Sequence, residues 1–161
     1  MATRATRAVW LTIAAAAAIA LSLQAPPASA REHWFVIPRL DGAVGFDAES
    51  IDVDGRNGII VTVGAYSPES FETPAGLAAH YAVERAHFDC AGRFNIRSTM
   101  LFDAARRRIW EERDRAEHWD SVGSSTYVAI NAAVCDSRPL QKARTAFSLP
   151  DALKLMQQVA Q

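Results

Sequence analysis

Residues 34–37, Trp-Phe-Val-Ile, form an apolar, β-branched and aromatic run that stops at Pro38, and residues 43–46 resume it after the turn dipeptide Asp41-Gly42. This spacing predicts a first hairpin. Residues 47–51 read as turn and capping positions, residues 54–58 as a second turn, and Ile59, Ile60, Val61, Thr62 and Val63 as the clearest strand. Residues 67–76 hold two prolines, a glycine and two serines, which predicts a solvent loop. Residues 81–89 and 93–102 then alternate as two antiparallel strands joined at Ala91-Gly92. On the second, the alternation puts Phe94, Ile96, Met100 and Phe102 on one side and Arg93, Asn95, Arg97 and Thr99 on the other. Residues 103–105 turn the chain and residues 108–113 return as a further strand with charges toward water.

After this meander the period changes. Ser125 or Thr126 is placed to cap a helix reaching Val134, with Tyr127, Ile130 and Val134 on one stripe. Residues 137–145 are polar, and Ser148-Leu149-Pro150-Asp151 opens a second helix in which Leu149, Ala152, Leu153, Met156 and Val159 share a face. The expected fold class is α+β: an antiparallel sheet of about five or six strands, a helix packed on it, and a C-terminal helix. That last helix either docks on the same domain or serves a partner or a second copy, which leaves a homodimer open.

The first thirty residues have a different character. Arg4 and Arg7 precede an apolar run over residues 9–23, and small residues at Ala28 and Ala30 mark a cleavage site near Ala30. Fifteen helical residues reach only about 22 Å, short of the roughly 30 Å hydrocarbon layer. Residues 1–30 are therefore expected to be a signal peptide, residues 31–136 the domain, and residues 137–161 a polar linker with an amphipathic helix. Cleavage would deliver a periplasmic or secreted protein with no stable membrane span. Of 161 residues, 50% are hydrophobic and 22% charged, which excludes a disordered or collagen-like chain. With Arg4 and Arg7 set aside, 15 Lys and Arg face 18 Asp and Glu, a balance of −3 that argues against a nucleic-acid partner.

Cys90 and Cys135 are the only cysteines, and in an oxidising compartment one intramolecular disulfide is the simplest outcome. Closing a loop of about 45 residues would stabilise the fold by roughly 4 kcal/mol. A zinc site built from His87, Cys90, His118 and Cys135 is the competing reading. Its spacings match no zinc pattern, and positions i and i+3 of a strand point to opposite faces.

Other candidates have plain readings. Arg106-Arg107-Arg108 is the densest positive run, but Glu111, Glu112, Asp114 and Glu117 follow within screening distance, so a solvated turn is expected. His80, His87 and His118 would serve acid–base or metal chemistry only if the fold brought them together. His87 and Asp89 fall on one strand face, two residues apart, a spacing that suits a pH-responsive pair. Trp34, Trp110 and Trp119 are read as core before ligand patch. Asp89 and Arg93, flanking a turn, are placed to pair and fix strand register. No catalytic set and no cofactor motif stands out.

Trp34, then Asp47-x-x-Ser50-Ile51, Asp89-Cys90 with Arg93 and Ser98, Phe102-Asp103, Trp119-x-x-Val122-Gly123-Ser124 and Val134-Cys135 resembles the surface-adhesin protein E family of Gram-negative bacteria over about residues 34–135. The resemblance implies an exported domain with an antiparallel sheet, a helix against it, and a disulfide from the Asp-Cys strand to that helix. It also implies a non-enzymatic role: binding a protein or a cell-envelope component. Two departures weaken that transfer. No cysteine near the cleavage site accepts a lipid, and residues 136–161 extend past the resemblance. The alternative is a small periplasmic metal-binding, stress-related or hydrolytic protein using the histidines.

Overall fold

A computed structural model describes residues 32–161 except 56–57 and 125–126. The expected leader and the expected cap at Ser125 or Thr126 lie outside the described residues. Eight strands form one sheet: β1 (Trp34–Arg39), β2 (Gly42–Asp54), β3 (Gly58–Glu72), β4 (Ala78–Phe88), β5 (Arg93–Phe102), β6 (Arg108–Glu112), β7 (Asp120–Ser121) and β8 (Arg144–Ala146). Two helices accompany it, α1 (Val128–Cys135) and α2 (Leu149–Val159). The path runs β6-β5-β4-β3-β2-β1-β8, with β7 on the free end of β5, and all pairings are antiparallel. The fold is α+β, but the sheet is larger than the five or six strands expected. The additions, β7 and β8, are two and three residues long and mostly polar, so no alternation betrays them.

The long strands also outrun their sequence signals. Residues 47–51 are not a turn: β2 continues through them, with a register shift between Asp47 and Asp52. Asp47 holds this irregularity, its Oδ1 accepting from the backbone N–H groups of His33 (2.8 Å) and Glu49 (3.2 Å). Ser50 Oγ donates to the Asp47 carbonyl at 2.7 Å and accepts from Thr62 N at 2.8 Å, replacing a ladder bond that the bulge removes. Most of the expected loop over residues 67–76 is likewise strand, because β3 runs to Glu72 and pairs Phe71 with Ala79 beyond a second shift. The connection itself is short. Thr73, buried, accepts from Leu77 N at 3.0 Å and closes it.

A third irregularity overturns the expected sidedness of β5. Arg85 pairs with Ser98 and Ala86 with Ile96, so Arg97 is an extra residue. Beyond it the alternation inverts. Phe94 and Ile96 join one apolar cluster, whereas Met100 and Phe102 join the other, on the opposite face.

Each face has its own helix. On one, Ile130 and Tyr127 at the start of α1 pack on Phe46, Val61, Val63, Phe88 and Phe94. The Cys90–Cys135 disulfide, with Cα atoms 5.4 Å apart, ties the far end of α1 to the β4–β5 turn. On the other face, α2 lays Ala152, Leu153, Leu155 and Met156 over Trp34, Val36, Tyr81 and Val83. Ser148 caps α2, accepting from Asp151 N at 3.3 Å, with Pro150 in the first turn. Gly45 and Gly64, paired across β2 and β3, make this approach feasible: a Cβ on Gly64 would sit 2.6 Å from Met156 Cε and 3.3 Å from Trp34. Residues 137–161 are thus more than a polar linker and a helix. They supply the outer partner of β1 and the cover of one core.

Candidate recognition surface

The helix α2 covers only one end of its face. A row of paired residues beneath or beside it reads Gly45, Gly64, Val83 and Met100; the next row on the same face reads Asp47, Thr62, Arg85 and Ser98. One step further stand Ile60, His87 and Asn95. At its β1 end the second row still runs under α2, where Trp34 pairs with Asp47; from Thr62 and Arg85 outward no described helix lies over this face, and the side chains turn from apolar to polar.

These side chains are fixed by one another. Arg85 Nη1 donates to the Ser50 carbonyl (2.7 Å) and to Thr62 Oγ1 (3.3 Å). His87, almost fully buried, has Nδ1 3.0 Å from Arg97 Nη2 and Nε2 3.3 Å from Asp54 Oδ2. Because a guanidinium only donates, Nδ1 must accept, so the imidazole is neutral with its proton on Nε2 toward Asp54. Burial, and then the Arg97 charge, push the His87 pKa below its ordinary value, with Asp54 opposing them. Gly58 makes room for this ring: a Cβ there would lie 2.3 Å from Nε2.

Trp119 closes one side of the His87 cleft, its ring 5.0 Å from the imidazole and its Nε1 donating to Glu117 at 2.6 Å. The Arg93 guanidinium stacks on that indole at 5.4 Å. Arg93 also binds Asp89 through Nε at 2.7 Å, while Asp89 Oδ1 accepts from Ala91 N and Arg93 N at 2.9 Å. Burial raises the Asp89 pKa, but these donors outweigh it and hold the carboxyl below its ordinary value. Two hollows result, about 430 Å³ around His87 and about 360 Å³ along Arg85, Ser98 and Arg113, with Arg97 on the wall of both.

The chain matches no family model, no curated protein and no solved structure.

The residues singled out from sequence separate into three groups. Trp34 is core, 1% exposed, and Asp47 and Ser50 clamp the β2 bulge. Asp89, Arg93 and Trp119 border the His87 cleft. Gly123 and Ser124 belong to a 3-10 turn over Val122–Ser124, anchored by Val122 N to the Gly92 carbonyl at 2.9 Å. The three tryptophans form no common patch, since Trp34 lies under α2, Trp110 on β6 and Trp119 beside His87.

Nor do the histidines converge. His80 projects from the opposite sheet face to His87 and meets the Ser67 carbonyl at 3.1 Å, while exposed His118 faces Asp120 at 3.4 Å. Among the described residues no three His, Cys, Asp or Glu side chains gather at metal-binding distance. The Arg106–108 run is spent internally: Arg106 binds Gln157 of α2, Arg107 binds Asp103 and Arg108 binds Glu111. Sequence reasoning missed Arg85, Arg97 and Asp54. Its available signal was Arg85-x-His87, two polar residues on the strand face that elsewhere carries Tyr81 and Val83.

Proposed function

We propose that the chain is an exported, non-enzymatic binding domain that recognises a protein or cell-envelope component through the open half of the α2-side face. One observation carries this reading: the polar rows beyond α2 are held in place by bonds among themselves, so a partner would meet a surface whose ordering entropy is already spent. The resemblance to the surface-adhesin protein E family supports it, as do the Cys90–Cys135 bond and the absence, among the described helices, of one long and apolar enough to cross a membrane.

Capture from envelope extracts tests the reading with three forms of the chain. The unaltered chain is expected to retain a component that is lost with Trp119→Ala combined with Asp54→Lys, and kept with Val128→Glu on the opposite face. Equal retention by all three forms, or by none, overturns it.

A further inference from the structure

The arginines on and around β4, β5 and β6 fall into two electrostatic states. Arg93, Arg108, Arg113 and Arg115 each meet a carboxylate, at 2.7, 2.9, 2.5 and 3.8 Å. Among the described residues, Arg85 and Arg97 form no such pair. Their hydrogen-bond acceptors are the Ser50 carbonyl, the Thr62 hydroxyl and the neutral His87 nitrogen, uncharged groups that orient each guanidinium. Asp52 and Asp47 act on Arg85 only through space, and Asp47 Oδ1 already serves two backbone donors. The two cations sit on adjacent strands of one face, and Arg97 lies in the bulge that sets it off the regular ladder. Burial is the main influence against the charged form of Arg85; the Asp52 charge opposes it more strongly than the Arg97 charge adds to it.

The Arg97 charge repels that of Arg85, and an anion bound by both guanidinium groups would relieve this repulsion. Each guanidinium has five N–H donors, so both retain several beyond the bonds above, and Ser98 adds a hydroxyl to the same hollow. We infer that Arg85, Arg97 and Ser98 form a binding site for one phosphate group. A carboxylate has two oxygens in one plane and suits a single guanidinium fork; a tetrahedral phosphate presents oxygens to both forks and to the hydroxyl together. Glu111, Glu112 and Asp114 also wall the hollow, so it fits a single group and repels a polyanion. The site rests on the proposed recognition surface only for its role; as an anion site it stands on its own geometry. The same phosphomonoester chemistry can arrive on a free small molecule or on a lipid headgroup.

The test titrates the full chain with inorganic phosphate, against chloride at matched ionic strength, and follows the arginine Nε–H resonances by NMR. Saturable shifts of Arg85 and Arg97, with Arg138, which pairs with Asp136 away from the hollow, unmoved, are expected. Arg97→Gln, on the exposed bulge, should weaken binding about tenfold or more with the fold intact, and Ser98→Ala should weaken it less. Shifts equal in chloride, shifts without saturation, or binding unchanged in both variants would overturn the site. Glycerol 3-phosphate and vesicles of phosphatidic acid in phosphatidylcholine distinguish the sources: binding to the first alone supports a free ligand, and binding to both supports a headgroup. Failure of phosphate binding beside retained envelope capture refutes this site and leaves the surface standing; the converse refutes only the surface.

Discussion

On the α2 side of the sheet, Gly45, Gly64, Val83 and Met100 form one row across four strands, and Asp47, Thr62, Arg85 and Ser98 form the next, two residues along each strand. The backbone ladder is the same in both. What differs is the cover. In the first region, small residues let Met156 of α2 come down on the sheet beside Trp34 of β1, and stability comes from apolar area removed from water. In the second, bulges at Asp47–Asp52 and at Arg97 break the ladder, and side-chain bonds replace what is lost. A single face thus contains a region built to hold the fold and another that the fold holds still.

The largest way to break this contrast is at Trp34. Trp34→Ala should destabilise the chain by about 4 kcal/mol in a denaturant titration, whereas Arg97→Ala should stay within about 0.5 kcal/mol. Comparable losses at the two positions would mean that the open region is core after all. Removing the staple comes next: Cys135→Ser should cost about 3 kcal/mol, and reductant should lower the unaltered chain to the same level without affecting the variant. A variant as stable as the parent would leave the disulfide without a structural role.

The smallest effect concerns the opposite face, where half-buried Glu84 lies beneath Tyr127. Its carboxylate accepts from the Tyr127 hydroxyl and from Thr99 Oγ1 at 3.2 Å. Burial raises its pKa despite those two bonds. The folded chain therefore binds this proton more tightly than the unfolded chain. Stability from this group is fully present below the ordinary carboxylate range and is lost as pH rises through the raised value. Glu84→Gln should flatten that decline, measured as the slope of unfolding free energy against pH from mildly acid to neutral. An unchanged slope would assign it to other groups.

Much of the architecture was legible because alternation and caps are local signals. The β1–β2 hairpin, the β4–β5 pair around Ala91-Gly92, the Ser148 cap and the apolar face of α2 all follow from neighbouring residues. The bulge at Arg97 was not legible. An extra residue changes no composition, yet it sends Met100 and Phe102 to the face opposite Phe94. Strand β8 escaped notice for a different reason: three residues acquire their conformation from the exposed edge of β1, a partner more than a hundred positions earlier. The candidate surface was half legible. Asp89 and Arg93 flank one turn and announce each other, but Asp54, His87 and Arg97 come from three strands and meet only through register.

The late position of β8 and α2 also dictates an order of events as the chain emerges from the ribosome or a translocation pore. Cys90 can reach Cys135 before residue 144 has appeared, so the covalent link can close on an incomplete sheet. Until Ala146 arrives, β1 presents an unpaired edge, and until Met156 arrives, Trp34 has no roof. A nascent molecule halted in that interval is a template for its neighbours, and the final eighteen residues act as its built-in protection against aggregation.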